Sequence, residues 1–296
     1  MSPYDLLMRL VLIGDIHGYR LSVPPRELLG KRLIGQANLW LMRRMQFNTT
    51  LLDRVMTRAL ELLPDLAVWT GDLTSTALQS EFDDILERIE PFARRLPMLA
   101  VPGNHDRYTF ASMRQHRFES SLNGMAPRTF PHLRELSAHW YLLALDSAVP
   151  NMVSSRGRIG HDQLEHTSAL LDQADGDKGL VVLCHYPVAV PKGQPMTWAH
   201  RLADFRQLTG VLAQQVRPTL FLHGHIHQPW SFHPDRGPLM HVTHINAGSP
   251  TMVKPSHPHG QGFWQIDLPD DPAATVGLVH HVPDDHTGEW VAQHVQ

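Results

Sequence analysis

Arg9-Leu-Val-Leu-Ile-Gly-Asp-Ile-His-Gly18 decides the fold. An apolar run too short for a helix stops at a glycine and gives way to an aspartate and a histidine. A buried strand that hands over to a loop has this form, because the loop presents Asp15 and His17 without burying an unpaired charge. Four further segments repeat it. Gly71-Asp72-Leu73 follows an apolar run at residues 66–70, and Gly103-Asn104-His105-Asp106 follows one at 98–101. Cys184-His185 follows residues 180–183, and Gly224-His225-Ile226-His227 follows residues 219–222.

Helical spacing fills the intervals. It predicts a helix over residues 48–63, with apolar positions at Leu52, Val55, Met56, Ala59 and Leu63 and a stop at Pro64. Others are predicted over 81–96 with a break at Pro91, over 161–173 and over 202–216. A further strand is predicted at 140–145. Strands alternating with helices imply an α/β layered fold with ligands at the carboxyl ends of the strands. The tail reads differently, as short strands at 262–268, 275–282 and 289–295, expected to complete a second sheet packed on the first. No internal repeat interrupts residues 1–296, which read as a single domain.

Composition narrows the class. A hydrophobic content of 42% with 19% charged residues is that of an ordinary globular protein. A net charge of −3 gives no reason to expect nucleic-acid binding. Cys184 is the one cysteine, so no intrachain disulfide forms. No signal-peptide pattern opens the chain and no stretch approaches the ~20 apolar residues of a membrane span, so a cytoplasmic protein is expected. Oligomeric state has no signature here.

Residues 19–47 stand apart. They separate the first strand from its helix by far more than the usual loop of about 2–6 residues. They hold Arg20, Arg26, Lys31, Arg32, Arg43 and Arg44 against one acid, Glu27, together with Leu28, Leu29, Leu33, Ile34, Leu39, Trp40, Leu41 and Met45. The stretch reads as an inserted, amphipathic, helical cap beside the site. Three roles stay open: a solvent-facing cap, a cationic grip on substrate phosphates, or peripheral contact with an anionic membrane face.

Carboxylate, amide oxygen and imidazole suit hard or borderline divalent ions. Asp15 and His17 lie two apart, so a tight turn brings both to one ion, and His225 with His227 has the same option. Asp72 is a lone carboxylate placed to bridge two ions. Asn104 adds a neutral oxygen that limits the negative charge. Singly, each would pass for a turn cap or a core hydrogen bond; five segments in this order describe a site for two metal ions.

These segments resemble the calcineurin-like metallophosphoesterase superfamily, whose pattern is D-x-H, G-D, G-N-H-D/E, a lone H and G-H-x-H. The resemblance covers roughly residues 11–230 and implies a two-sheet αββα sandwich. It implies two divalent ions, manganese foremost, with iron, zinc or magnesium also accepted by such ligands. One ion would be held by Asp15, His17 and His227, the other by Asn104, His185 and His225, with Asp72 bridging. The implied reaction is hydrolysis of a phosphoester by a hydroxide shared between the ions. His105 would stabilise phosphoryl oxygens or protonate the leaving alkoxide, and Asp106 would orient His105.

Within the superfamily, Gly71-Asp-Leu-Thr-Ser-Thr76 departs from the G-D-x-V-D-R-G of the protein phosphatases. The nuclease branch needs a large basic surface that is missing here. Leu145-Asp-Ser147, with Gly160 and Gln163-Leu164, resembles the bacterial cyclic-nucleotide phosphodiesterases. The expected substrate is therefore a small phosphodiester or nucleotide pyrophosphate. A membrane-surface pyrophosphatase cleaving UDP-2,3-diacylglucosamine, a UDP-linked lipid of lipid A synthesis, is the alternative. A non-enzymatic scaffold of the same fold is the lesser one. Of the other histidines, His223 is expected to be structural, His241 and His244 to be satisfied structural residues, and His257, His259, His280, His281 and His286 to lie at the surface.

Overall fold

The computed structural model describes residues 8–28, 31–41, 45–151, 154–253, 261–284 and 286–295. Strand β1, Met8–Ile13, is apolar and buried from Leu10 to Ile13 because both of its faces are covered there. Leu10 and Leu12 point one way, into a cluster shared by two sheets. Val11 and Ile13 point the other way, under helices. β1 pairs in parallel with β2, Leu66–Trp69, which pairs in parallel with β3, Met98–Ala100.

Over their outer face lie α2, Leu51–Glu61, and α3, Gln79–Ala93, through Leu52, Val55, Met56, Phe82 and Ile85. The cap region contributes α1, Lys31–Leu41. After β3 come two short helices, α4 at Phe110–Arg114 and α5 at Arg117–Ser121.

The second sheet is built from β4, His132–Glu135, β5, Trp140–Ala144, β6, Gly179–Leu183, β7, Thr219–His223, β8, Trp230–Phe232, and β9, Val242–Asn246. Its order is β4-β5-β6-β7-β9-β8, with β5, β6, β7 and β9 parallel. Helices α6, His161–Gln173, and α7, Phe205–Ala213, cover its outer face through Leu164, Leu171, Leu208 and Leu212. Its inner residues Leu142, Val181, Leu183, Leu220 and Leu222 meet Leu10, Leu12, Val68 and Leu99 of the first sheet. Helix, sheet, sheet and helix therefore form the expected layers.

The tail corrects one expectation. β10, Phe263–Leu268, β11, Gly277–Pro283, and β12, Trp290–Val295, extend the sheet of β1, in the order β12-β11-β10-β1-β2-β3. The cause is β10, which pairs antiparallel with the free edge of β1, Leu10 opposite Ile266. Pro91 does not break α3 either. It lies in the last turn, where few intrahelical bonds remain to be lost, and the Arg94 amide still donates to Glu90. The helix expected over 202–216 is shorter, ending at Ala213.

His280 and His281 are buried, against expectation. They sit opposite Trp264 and Phe263 across β10 and β11, and His281 stacks on Phe263 with ring centres 5.1 Å apart. His286 is exposed as expected, while His257 and His259 lie outside the described residues. No helix among the described residues is long and apolar enough to cross a membrane.

Candidate metal centre

All five segments leave the carboxyl ends of parallel strands: the first three leave β1, β2 and β3, the last two β6 and β7. The backbone is unusual where they do. His17, Asp72, His225 and His227 have φ of 53°, 51°, 71° and 55°. Left-handed backbone costs a residue with a Cβ about 1–2 kcal/mol, so it persists only where its surroundings over-determine it. They do so here. The amides of Ile16 and His17 both donate to the Asp72 carbonyl, and the His225 amide donates to the Asp15 carboxylate. Ser249 and Thr251 hydroxyls donate to the carbonyls of Asp15 and Ile16, each at 2.6 Å.

The result is one set of donors in two halves. Ligand atoms of Asp15, His17, Asp72 and His227 all lie within 4.8 Å of one another. His227 Nε2 is 2.8 Å from His17 Nε2 and 3.1 Å from Asp15 Oδ2. Asp72 Oδ2 stands 3.8 Å from His17 Nε2 and 3.6 Å from His185 Nε2, between the halves.

The second half is defined by its protons. His185 Nδ1 faces the Thr70 carbonyl at 2.7 Å, and His225 Nε2 faces the His200 carbonyl at 2.8 Å. A carbonyl only accepts, so those nitrogens carry the protons. The opposite nitrogens, His185 Nε2 and His225 Nδ1, then present lone pairs to Asn104 Oδ1 at 3.1 and 3.0 Å. With the amide in this orientation, three acceptors converge with no proton among them, an arrangement that a cation relieves. Burial holds both rings below the usual histidine range, hence neutral, the form in which imidazole ligates a metal. The donor set thus fits a dinuclear divalent metal site.

His105 sits at the rim. Its Nδ1 is 2.6 Å from the Ser75 carbonyl, and its ring stands edge-on to His17, with centres 4.8 Å apart. Asp106 lies beneath the loop, buried, where it accepts from the amides of Leu73, Thr74 and Gly103 and from the Thr74 hydroxyl. Burial, with Asp72 nearby, pushes its carboxyl up to about 6.

Several wall residues had no signal in the sequence. Phe47, at the end of the cap region, is buried against His17, with ring centres 4.5 Å apart. Tyr186 lies 4.3 Å from the His225 ring and donates to the Ser155 carbonyl. Asp146, of the Leu145-Asp-Ser147 segment, pairs with Arg107, as does Glu119 of α5. Cys184 is buried, its thiol pushed up to about 12, so it offers no thiolate.

His223 donates from Nδ1 to the Gly224 carbonyl, as a structural residue does. His241 has Nε2 at 3.2 Å from the Leu212 carbonyl. His244 corrects the expectation of a satisfied ring: neither of its nitrogens has a hydrogen-bond partner among the described residues. It packs instead on Phe232, with ring centres 5.2 Å apart.

The sequence matches the calcineurin-like phosphoesterase family over residues 8–229. The chain belongs to that family. The chain is 25% identical over 196 residues to the 3′,5′-cyclic adenosine monophosphate phosphodiesterase CpdA of Vibrio vulnificus, a match covering 65% of each chain. It therefore spans a little under two thirds of that relative's length. The fold is that of a dimetal phosphatase from Danio rerio, with a TM-score of 0.62 at 15% identity over 92% of this chain and 95% of that one. The purple acid phosphatase PPD1 of yellow lupin (Lupinus luteus) has a TM-score of 0.61 at 16% identity, over 98% of this chain and 54% of that one.

Proposed function

We propose that the chain is a metal-dependent phosphodiesterase acting on a small phosphodiester, a cyclic nucleotide foremost. The observation that carries the reading is Asp72 Oδ2, set between His17 and His185 and so between two complete half-sets of donors. In this reading Asp15, His17 and His227 hold one divalent cation, and Asn104, His185 and His225 hold the other. Manganese is the ion to load first, since oxygen and imidazole donors suit it. When bound, such a pair lowers the pKa of water and neutralises phosphoryl oxygens.

The chain's own groups do the rest. The Ser75 carbonyl keeps the His105 proton on Nδ1, so Nε2 is the titrating position. Protonated there, His105 hydrogen-bonds a phosphoryl oxygen or hands its proton to the departing alkoxide. Asp106 keeps the loop in shape by collecting three amides, a positioning task in place of direct contact with substrate. Phe47 and Tyr186 wall His17 and His225 and limit water around them.

The Vibrio relative's name supports a cyclic nucleotide. The UDP-linked lipid is not better supported than a cyclic nucleotide, and every ligand position carries a competent residue, which tells against a scaffold. The test compares hydrolysis of cyclic AMP, UDP-2,3-diacylglucosamine and bis(p-nitrophenyl) phosphate by manganese-loaded protein. Preference for cyclic AMP supports the reading, and preference for the lipid overturns the substrate. Failure on all three, with metal bound, overturns the enzyme.

A further inference from the structure

Helix α1 is apolar on the face it turns to solvent. At about 100° per residue, Leu33, Ile34, Ala37, Trp40 and Leu41 occupy about one third of its circumference, and all five are exposed, Ile34 at 71% and Leu41 at 75%. Asn38 alone borders that arc as an exposed polar residue.

The helix is not placed backwards. Its other face is docked: Gly35 packs against the Tyr108 hydroxyl so closely that a Cβ would clash, and Leu39 is buried. Gln36 donates to the Arg20 carbonyl at 2.6 Å, and Arg32 donates to the carbonyls of Thr76 and Ala77 at 3.1 and 2.9 Å. Trp40 ties its indole N–H to the Leu21 carbonyl while the ring stays half exposed. The apolar arc therefore faces outward in the docked state. A surface helix normally reserves that side for charge.

We propose that this face of α1 lies on an anionic lipid surface. Three features select that occupant. The first is charge. Lys31 stands over the Tyr108 ring and, among the described residues, is not paired with a carboxylate, whereas Arg32 and Arg117 are tied to backbone carbonyls on the docked side. The stretch 19–47 holds six cations against one acid in a chain of net charge −3, and of the six Arg20 pairs with Asp84 outside the stretch. The second is the indole, apolar in body with a satisfied N–H, which suits a membrane–water boundary. The third is size: five side chains on a helix of 11 residues expose on the order of 500 Å², short of the ~800 Å² that each partner gives to a stable protein interface. A fluid surface asks for no matching shape. Helix, apolar face and cations fit an in-plane contact. The inference does not depend on which ester is cleaved.

The test is co-sedimentation of the full-length, metal-loaded protein with phosphatidylcholine vesicles, with and without phosphatidylglycerol. The wild type should bind the anionic vesicles, and added salt should weaken binding. The double variant Ile34→Gln, Leu41→Gln should bind about tenfold or more weakly. It should hydrolyse bis(p-nitrophenyl) phosphate at the wild-type rate, which shows it folded. Without any variant, brominated lipid should quench blue-shifted tryptophan emission of the wild type. Absence of wild-type binding, or equal binding by the variant, overturns the proposal. So does a wild-type dimer that the variant turns into monomer, which would assign the face to a second copy.

Discussion

The Ser75 carbonyl oxygen stands 2.6 Å from Nδ1 of His105 and fixes which ring nitrogen of that residue titrates. A ring held this way is ready to give a proton from Nε2, outside both groups of candidate ligands. Replacing it by His105→Gln should lower kcat/KM by about 10²–10⁴-fold, the range of a lost general acid. Metal content by elemental analysis should remain that of wild type. A parallel loss of metal would move His105 into the ligand set.

Asp72 should behave oppositely. Its Oδ2 faces His17 and His185 at 3.8 and 3.6 Å, and its Oδ1 accepts from the His105 amide at 2.7 Å. Asp72→Asn should lower both bound metal and turnover, turnover by at least ~10²-fold. Near-wild-type turnover in that variant would remove the shared carboxylate from the site.

Gly103 is there for space. A Cβ on it would collide with Asp72 Oδ1 and the Asp72 amide. Gly103→Ala should therefore displace Asp72, reduce metal retention and cost about 1–3 kcal/mol of stability through overpacking. Urea denaturation and metal analysis together check it. An unchanged denaturation midpoint would mean that the loop yields without strain.

The buried histidines of the second sheet set an acid limit. Burial holds His223 and His244 down to about 3, so both are neutral in the folded chain. In the unfolded chain they bind protons below about pH 6.5. The unfolded state therefore binds more protons in that window, and stability should fall as pH drops from about 6.5 toward 3. His244→Leu, close in volume, removes one such proton and no hydrogen bond. Near pH 5 it should lower the slope of stability against pH by about 1.4 kcal/mol per pH unit. Denaturation midpoints across that range test this, and parallel curves for the two proteins would refute it.

Much of the site was legible because each segment announces itself locally: an apolar run, a glycine, then a ligand. Asp15, His17, Asp72, Asn104, His185, His225 and His227 come together although more than two hundred residues separate the first from the last. What was not legible depends on partners far away in the chain. Ser75 and His200 act through main-chain carbonyls, which no side-chain pattern marks. Phe47 reaches His17 only because the backbone around it pairs with residues 251–253.

The tail strands were recognisable as strands, yet the edge they join is decided by β1. His280 and His281 look polar in isolation, and the aromatic pair Phe263 and Trp264 opposite them is what buries them. In the stretch 19–47 the one α-helix among the described residues is Lys31–Leu41, whereas Leu29, Arg43 and Arg44 lie outside the described residues. Arg20 turns to Asp84 and Arg32 to backbone carbonyls, a distribution that counting cations did not reveal.

Asp15, Asp72 and Asn104 hang from one sheet of the sandwich, and His185, His225 and His227 from the other. Neither layer alone owns a full coordination shell. A cation held as proposed would be a suture across the seam between the two layers. Under the proposed reading, a chain whose halves had slipped against each other would bring only part of the donor set to a cation.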